Sequence, residues 1–336
     1  MTAMPPPLMF APSESRSLGA ATSRLGGLDL GALEERAFED GEFKLRPLQS
    51  VRGRRVFVLQ TLAGSADASI AQRFVRLLFL LQGLRDAGAG ELTAVVPYLA
   101  YARKDRRTQP RDPVTTRYVA QLLEAAGLDR LVALDAHNPA ALDNAVRVPC
   151  DHLSALPMFA DHLAQRLGPG DLAVASPDVG GIKRAQLLRE LLAARLGRPV
   201  DLLFVEKRRA QGVVSGGTVV GSCEGRTVIV LDDLCATGGT LIRAARALRD
   251  QRAREVYAVF THAPMADGLR NVIEAREISR IITTDSTADR PQGPAETPES
   301  RLTVLSIAPL LGAAIGRMLR FEPVAPLLGE WPAPDL

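Results

Sequence analysis

Short apolar runs alternate with longer segments of helical periodicity along almost the whole chain. In the first half, apolar runs at 55–60, 92–97 and 130–135 predict strands, and the spacing predicts helices near 69–86 and 114–126. The second half repeats the alternation, with apolar runs at 172–176, 201–205, 228–231, 256–260 and 280–283. This order predicts an α/β fold of two doubly wound domains with mostly parallel sheets, related by duplication.

The domain boundary is expected where the pattern breaks near 149–157, a stretch bounded by prolines. We therefore predict an N-terminal domain at 1–150 and a C-terminal domain at 151–304. A polar loop is predicted over 285–301. An amphipathic helix at 305–320 should pack on the N-terminal domain, and the tail at 321–336, with its four prolines, should lack regular structure.

Composition narrows the functional classes. A net charge of +3 set against 38 acidic residues, with 4% aromatic residues, argues against a nucleic-acid partner. No export signal and no uncharged run of membrane-spanning length are present in the sequence, so a cytoplasmic protein without a membrane partner is expected. The three cysteines have no CxxC spacing, which argues against a zinc site and against a disulfide framework.

The most informative segment, 227–240, is an apolar run followed by two carboxylates and a turn rich in glycine and threonine. Gly238 and Gly239 would let the backbone approach a phosphate, and the N-terminus of the following helix would add partial positive charge. Asp232 and Asp233 suit sugar hydroxyls or Mg²⁺. The segment therefore predicts a site for a phosphorylated sugar; the alternative is an ordinary strand-to-helix turn with an Asx cap.

Two further segments carry concentrated positive charge. The stretch 98–113 follows a strand and contains five arginine or lysine residues, which favours a polyphosphate such as that of ATP over a merely solvated loop. The stretch 204–217 brings Lys207 and two arginines into a Gly- and Ser-containing segment that resembles a lid. Lys207, one of only four lysines, is the candidate for stabilising charge during phosphoryl transfer.

Two single residues follow strand ends. Asp178 precedes two glycines and a helix and could hold Mg²⁺ or a ribose hydroxyl. His137 follows an acidic turn at the end of the 130–135 strand, although a lone histidine is more often structural. We interpret that acidic turn as the first domain's counterpart of the 232–240 loop.

Taken together, these segments resemble the ribose-phosphate pyrophosphokinase family from about residue 10 to residue 319. The resemblance rests on the order and spacing of nine motifs: Phe38–Glu42, Ser50–Gly53, Val96–Asp105, Arg111–Pro113, Asp135–His137, Ser176–Gly181, Glu206–Arg209, Asp232–Thr240 and Leu305–Leu311. It implies two domains of phosphoribosyltransferase type. It also implies that the 1-hydroxyl of ribose 5-phosphate attacks the β-phosphorus of Mg-ATP and that AMP is released.

The resemblance also implies roles for individual residues. Lys207 and Arg209 would stabilise the transition state, and His137 with Asp178 would bind Mg²⁺. ATP would be bound by Phe38, Asp40, Gly41 and Glu42, which would reach the adenine from a neighbouring subunit, and by Arg103, Lys104 and Asp105. Ribose 5-phosphate would be bound by Arg209, Asp232, Asp233, Ala236, Thr237, Gly238, Gly239 and Thr240. Homo-oligomers, hexamers or smaller, with phosphate and ADP as effectors, are also implied.

Several positions depart from the family pattern. Ala236 stands where an acidic residue is usual, and Lys104 stands where glutamine is frequent. The turn at 135–138 also differs from the usual sequence. Two other functions stay open at this point: a phosphoribosyltransferase that consumes phosphoribosyl pyrophosphate, and a non-catalytic homologue that regulates the synthetase. Retention of Lys207, Arg209 and the loop carboxylates argues against the regulator.

Overall fold

The structure is a computed structural model that describes residues 5–210, 213–287 and 301–328; the side chains of 207–217 are outside the description. The chain divides into two compact units. Unit 1 comprises Met1–Ser154, Ser286–Arg290 and Ser306–Leu327. Unit 2 comprises Ala155–Asp285, Pro291–Leu305 and Leu328–Leu336.

Unit 1 begins with alternating strands and helices. In chain order they are β1 (Leu8–Phe10), α1 (Arg16–Gly26), β2 (Asp29–Leu30), β3 (Leu33–Ala37), β4 (Phe43–Pro47), β5 (Arg55–Leu59), α2 (Ile70–Asp86), β6 (Glu91–Val96), α3 (Thr115–Ala125), β7 (Arg130–Leu134), α4 (Pro139–Ala145) and β8 (Cys150–Leu153). Six of them form a parallel sheet in the order β2-β1-β5-β6-β7-β8, and β3 and β4 form a separate antiparallel hairpin. The central strands are apolar throughout because helices cover both faces of a parallel sheet.

Unit 2 continues the alternation. Its elements are α5 (Leu156–Arg166), β9 (Leu172–Ser176), α6 (Ile182–Leu196), β10 (Asp201–Ala210), β11 (Val213–Val220), β12 (Thr227–Leu234), α7 (Gly239–Asp250), β13 (Glu255–His262), α8 (Ala266–Glu274), β14 (Arg280–Thr284) and β15 (Leu302–Leu305). The sheet order is β11-β10-β9-β12-β13-β14-β15, and every described pairing is parallel except β10 with β11. The predicted α/β class with mostly parallel sheets is confirmed.

The two sheets share one topology. When β3, β4 and β11 are left out, each sheet contains six strands. If these six are numbered in chain order, their spatial order is 2-1-3-4-5-6 in both sheets. The match extends to single hydrogen bonds: the Asp135 amide donates to Leu153 O at 2.9 Å in unit 1, and the Asp285 amide donates to Leu305 O at 3.1 Å in unit 2. The strand order therefore makes β5 the counterpart of β12. Our interpretation of the turn after β7 as the counterpart of the 232–240 loop is wrong, because β7 corresponds to β14.

The last helix, α9 (Ala308–Leu319), follows a strand of unit 2 but belongs to unit 1, where it packs against α1. Small residues make this contact close: a Cβ on Gly312 would lie 2.7 Å from Leu25 Cβ. Its counterpart α5 follows β8 of unit 1 and packs against α6 in unit 2. Each unit thus receives the helix that follows the other unit's last strand.

Predicted and observed elements differ in number and in length. Strands β1–β4, β8, β11 and β15 lie outside the predicted runs, and the tail predicted to lack regular structure contains a short 3-10 helix at Ala325–Leu328. Strand β12 continues through Leu234, so Asp232 and Asp233 are strand residues and do not follow the strand as expected. The segment predicted to cross between domains, 149–157, contains strand β8 and the first residues of α5. No helix within the described residues is long and apolar enough to cross a membrane.

Candidate active site

Unit 2 has a topological switch point between the neighbouring strands β9 and β12. From β9 the chain continues to β10 on one side of the sheet, and from β12 it continues to β13 on the other side. These strands are parallel neighbours, with Ala175 opposite Val230. Their carboxyl ends therefore lie at the same edge of the sheet. This places the turn after β9, which carries Asp178, beside the end of β12, which carries the two carboxylates.

The Asp178 turn is built by short local hydrogen bonds. Asp178 Oδ1 accepts from the Gly180 amide at 3.0 Å, and the Ser176 hydroxyl donates to Asp178 O at 2.5 Å. A Cβ on Gly181 would lie 2.6 Å from Ser176 Oγ, so only glycine fits without a shift. The turn fixes a half-buried carboxylate at the switch point.

The two carboxylates of β12 have different environments. Asp233 is buried, and its Oδ1 lies 3.0 Å from Nη1 of Arg184 on α6. Asp232 is half-buried, and its Oδ1 accepts the Asp233 amide at 2.9 Å. Desolvation, and then the adjacent charge of Asp233, raise the pKa of Asp232 well above its usual value. Asp233 is thus part of a structural ion pair, whereas Asp232 is held in an environment that penalises its charge.

The turn from Ala236 to Thr240 is supported from behind by α8. Gly238 has φ of 78°, and a Cβ there would lie 2.7 Å from a Val272 methyl and 2.9 Å from Gly268 O. A Cβ on Gly268 would overlap the Ala236 carbonyl oxygen. Asn271 Nδ2 also donates to Thr237 O at 3.1 Å. These contacts hold the backbone of the turn against α8.

The turn presents donors at the start of α7. Thr237 is exposed, and Gly239 and Thr240 are half-buried in the first residues of the helix. The first amides of a helix have no partner within the helix, so they are available to an anion together with the positive end of the helix dipole. Arg243 Nη2 lies 3.4 Å from Thr240 Oγ1 and adds a cation one turn away. The arrangement is suited to a phosphate group.

In unit 1, the cationic segment forms an irregular loop between β6 and α3. Its centre is Asp112, whose Oδ2 accepts from Lys104 Nζ at 2.5 Å and from the amides of Thr108 and Gln109. These hydrogen bonds lower the pKa of Asp112, and the bond from Lys104 has the largest effect. Lys104 therefore holds the loop together, while Arg103, Arg106, Arg107 and Arg111 are exposed on it.

The residues around His137 link that loop to the next strand end. Asp105 Oδ2 accepts from Asn138 Nδ2 at 2.6 Å, and Asn138 also caps α4 by accepting the Ala141 amide. His137 is exposed immediately before this cap. Asp135 adopts φ of 40° and accepts a hydrogen bond from the Ser154 hydroxyl at 2.8 Å. The turn that differs from the family pattern is thus a hydrogen-bonded connection between the β6 and β7 ends.

The hairpin residues Phe38, Asp40, Gly41 and Glu42 form the turn between β3 and β4. The Phe38 amide donates to Glu42 O at 2.8 Å, and Gly41 has φ of 91°. Phe38 is 38% exposed, and the Arg36 guanidinium lies 4.8 Å from the centroid of its ring. An exposed aromatic ring on a short hairpin is available to a partner molecule.

Lys207 and Arg209 lie on β10, which extends beyond the predicted strand. Their side chains lie outside the described part of the chain, so their roles stay predictions. Sequence reasoning missed Arg184, Asp112 and the support from Gly268 and Asn271. Only the glycine at 268 could have signalled a close backbone approach, because neither the Arg184–Asp233 pair nor the Lys104–Asp112 pair within an irregular loop follows a helix or strand periodicity.

Comparison with known proteins covers both units. A model described as the N-terminal domain of ribose phosphate pyrophosphokinase matches residues 8–127, and a phosphoribosyl transferase domain model matches residues 158–294. Ribose-phosphate pyrophosphokinase 1 of Streptococcus pneumoniae is 34% identical over 323 residues, 95% of this chain and 96% of the relative. Its namesake from Listeria monocytogenes is 34% identical over 311 residues, 92% and 93% of the two chains.

Among solved structures, phosphoribosylpyrophosphate synthetase from Mycobacterium smegmatis matches with a TM-score of 0.83 and 30% identity. The match covers 94% of this chain and 100% of that chain. The similarity therefore extends over the sheets and loops of both units.

Proposed function

The chain belongs to the ribose-phosphate pyrophosphokinase family, and on that basis we propose that it transfers the diphosphoryl group of ATP to ribose 5-phosphate. In this reaction the 1-hydroxyl oxygen of the sugar bonds to the β-phosphorus and loses its proton. The bond from that phosphorus to the bridging oxygen of the α-phosphate breaks, and AMP leaves. The observation that carries the proposal is the convergence of Asp178, Asp232 and the 236–240 turn at one switch point within a chain of this family.

The acceptor sugar is assigned to unit 2. The amides of 236–240 and the hydroxyls of Thr237 and Thr240 would bind its 5-phosphate, since they present donors at a helix N-terminus. Asp232 would orient the ring hydroxyls. Asp233 acts as a positioning residue, because its ion pair with Arg184 fixes the end of β12 against α6.

ATP is assigned to residues of unit 1 and to the exposed hairpin turn. Arg103 would contact the phosphates, and Lys104, through Asp112, would keep the loop in shape. Asp105 would act with Asn138 to join this loop to the β7 end. Phe38, Asp40, Gly41 and Glu42 would meet the adenine of a neighbouring subunit's ATP, which requires a homo-oligomer.

Lys207 and Arg209 on β10 are assigned to stabilising the negative charge that develops on the transferred group. Cations aimed at the bridging and leaving oxygens lower the barrier because they stabilise charge that is greater in the transition state than in bound ATP. Arg209 would also contact the sugar phosphate.

Magnesium is the metal that this reaction implies. The carboxylate of Asp178, held in a fixed turn of unit 2, is the kind of oxygen ligand that Mg²⁺ prefers, and His137 of unit 1 is the other residue assigned to metal binding. Bound Mg²⁺ would neutralise phosphate charge. We also propose a cytoplasmic location, where ATP is available, and control of the activity by phosphate and ADP.

Incubation of the purified protein with ATP, Mg²⁺ and ribose 5-phosphate tests the proposed reaction. We expect AMP and phosphoribosyl pyrophosphate in equal amounts. Pyrophosphate release that requires phosphoribosyl pyrophosphate and a nucleobase would instead indicate a transferase. Absence of turnover in both assays would indicate a regulatory homologue, and either result would refute the proposal.

A further inference from the structure

One side-chain cluster in unit 1 has no part in the proposed reaction. Asp143 on α4 and Cys150 and His152 on β8 place one potential ligand atom each within 4.8 Å of one another. They offer a carboxylate oxygen, a sulfur and an imidazole nitrogen. Cys150 and His152 are half-buried and Asp143 is exposed, so the cluster lies at the surface and is partly enclosed by protein.

The sequence brings these residues together by strand periodicity and by one helix contact. Side chains two positions apart on a strand point to the same face, so Cys150 and His152 both face one side of β8. The intervening Asp151 has a separate partner, Arg130, at 2.7 Å. Because β8 is the last strand of its sheet, its outer edge is not paired with another strand of the described chain.

Hydrogen bonding orients the histidine within the cluster. His152 Nε2 lies 2.6 Å from Asp143 Oδ1. Its Nδ1 is buried and makes no hydrogen bond within the described residues. An ordinary surface histidine would direct its second nitrogen to water, and a buried core histidine would satisfy both nitrogens. Here one nitrogen is fixed by a carboxylate and the other is enclosed without a hydrogen bond.

The donor set distinguishes between classes of metal. Mg²⁺ and Ca²⁺ select oxygen ligands, whereas a cysteine sulfur combined with an imidazole suits Zn²⁺ and neighbouring transition metals. A tetrahedral Zn²⁺ with bonds of about 2.0–2.3 Å separates its ligand atoms by roughly 3.3–3.7 Å. All three ligand atoms lie within 4.8 Å of one another, and the nitrogen–oxygen separation of 2.6 Å is shorter than that range. Binding would therefore replace the hydrogen bond between His152 and Asp143 with bonds from both side chains to the metal.

We propose that Asp143, Cys150 and His152 form a transition-metal site of unit 1 that binds Zn²⁺, with water in the fourth position. The absence of CxxC spacing made the sequence argue against such a site, because its ligands come from a Cys-x-His pair on a strand and from a helix seven residues before the cysteine. The inference does not rest on the proposed reaction.

Binding would tie α4 to the sheet edge. Helix α4 begins two residues after His137, and β8 ends at Leu153, one residue before the end of the first segment of unit 1. A metal linking Asp143 to β8 would therefore stabilise unit 1 and restrain the helix that follows His137. We expect stoichiometric Zn²⁺ to raise the Tm by about 2–4 °C.

The test uses the full chain, free of any polyhistidine tag and stripped with a chelator. Zn²⁺ affinity is measured by competition with a chromogenic chelator, and Co²⁺ serves as a spectroscopic probe of sulfur ligation. The variants are Cys150→Ser, His152→Gln and Asp143→Asn. The matched controls are Cys223→Ser, a buried cysteine of unit 2, and His162→Gln, a histidine on the surface helix α5.

We expect one tightly bound equivalent of Zn²⁺ in the parent chain and both controls, and a thiolate-to-Co²⁺ charge-transfer band in each. Cys150→Ser and His152→Gln should weaken Zn²⁺ binding at least 100-fold and remove that band or shift it. Asp143→Asn, whose exposed side chain tolerates substitution, should weaken binding about 10-fold. The inference is overturned if the parent chain binds no stoichiometric Zn²⁺, or if the same equivalent persists in the Cys150 and His152 variants.

Discussion

The loop after β12 and the loop after β5 occupy the same place in two sheets of the same strand order, yet only one has the features of a ligand site. In unit 2, the β12 end carries Asp232 and leads into a glycine-rich turn at a helix N-terminus. In unit 1, the corresponding residues are Gln60 and Thr61, and both are fully buried.

The unit 1 switch point is filled by its own side chains. Gln60 Nε2 donates to Glu14 Oε1 at 3.0 Å and to Arg73 O at 3.1 Å, and the Thr61 amide donates to Ser15 Oγ at 3.1 Å. Ser65 Oγ, further along the loop, accepts from Arg73 Nη2 at 2.8 Å. Strand order thus provides a crevice, but the residues at the strand ends decide whether the crevice receives a ligand or is closed by the protein.

The largest expected effect concerns the strands beside the two switch points. Strand β10 carries Lys207, whereas its counterpart β2 is two residues long and has no lysine. Lys207→Ala should lower kcat about 100- to 1,000-fold because transition-state charge loses its partner, with an unchanged Tm. Asp29→Ala, which alters a charge on β2, should leave kcat within about twofold. Near-normal turnover of Lys207→Ala would remove this residue from the mechanism.

The next largest difference concerns KM and depends on how closely each loop's backbone is packed. Gly268→Ala would push the Ala236 carbonyl away from α8, so we expect the KM for ribose 5-phosphate to rise about 100-fold. Gly64→Ala in the unit 1 loop meets nothing closer than 3.4 Å and should change neither KM value by more than about twofold. Steady-state kinetics with each substrate varied separately measures both effects. An equal response of the two variants would mean that α8 does not set the turn.

Hydroxyl groups of the two loops should have different roles. Thr237→Val should raise the KM for ribose 5-phosphate about 10-fold because a phosphate loses one donor, and it should leave the Tm unchanged. Ser65→Ala should instead lower stability and leave KM unchanged, since the Ser65 hydroxyl accepts hydrogen bonds from the Asp67 and Ala68 amides of its own loop and from Arg73 of α2. Its expected cost is about 1 kcal/mol of the free energy of unfolding with unchanged KM. Thermal unfolding and steady-state kinetics on the same samples measure both effects. A lower Tm for Thr237→Val or a higher KM for Ser65→Ala would contradict these roles.

The smallest expected effect is on stability and depends on pH. Because the pKa of Asp232 is raised on folding, the folded chain keeps this proton when the unfolded chain has lost it, and stability falls as pH rises through that window. Asp232→Asn should therefore raise the Tm by about 2–4 °C at neutral pH and by less as pH falls towards the usual carboxyl range. Asp233→Asn, which breaks the pair with Arg184, should lower the Tm instead. A destabilised Asp232→Asn chain at neutral pH would contradict the assigned pKa direction.

Sequence reasoning was most successful where structure is set locally. The near-continuous apolar runs of β5, β6 and β9 and the helical spacing of α2 and α3 predicted those elements to within one or two residues. Short strands such as β1 and β2 were missed because two or three residues show no periodicity. The ends of β10 and β12 were placed too early, since polar residues there continue the strand by pairing with β11 and β13, and such pairing leaves no apolar pattern in the strand itself.

At the site, the sequence offered candidates for ligand contact, which stay predictions, but it did not show the residues that position them. The carboxylates and glycines of 232–240 form a local pattern, whereas the Asp233–Arg184 pair and the contact of Gly268 with the turn depend on tertiary packing. The same limit applied to the cysteines. Cys150 has no sequence motif, and only the fold brings it to Asp143 and His152.

Hydrogen–deuterium exchange with and without ribose 5-phosphate, with Mg²⁺ and a non-hydrolysable ATP analogue in both samples, tests the central claim most directly. We expect the sugar phosphate to slow exchange of the 236–240 amides and to leave exchange of the 60–69 amides unchanged. Protection of 60–69, or the absence of protection at 236–240 under saturating sugar phosphate, would contradict it.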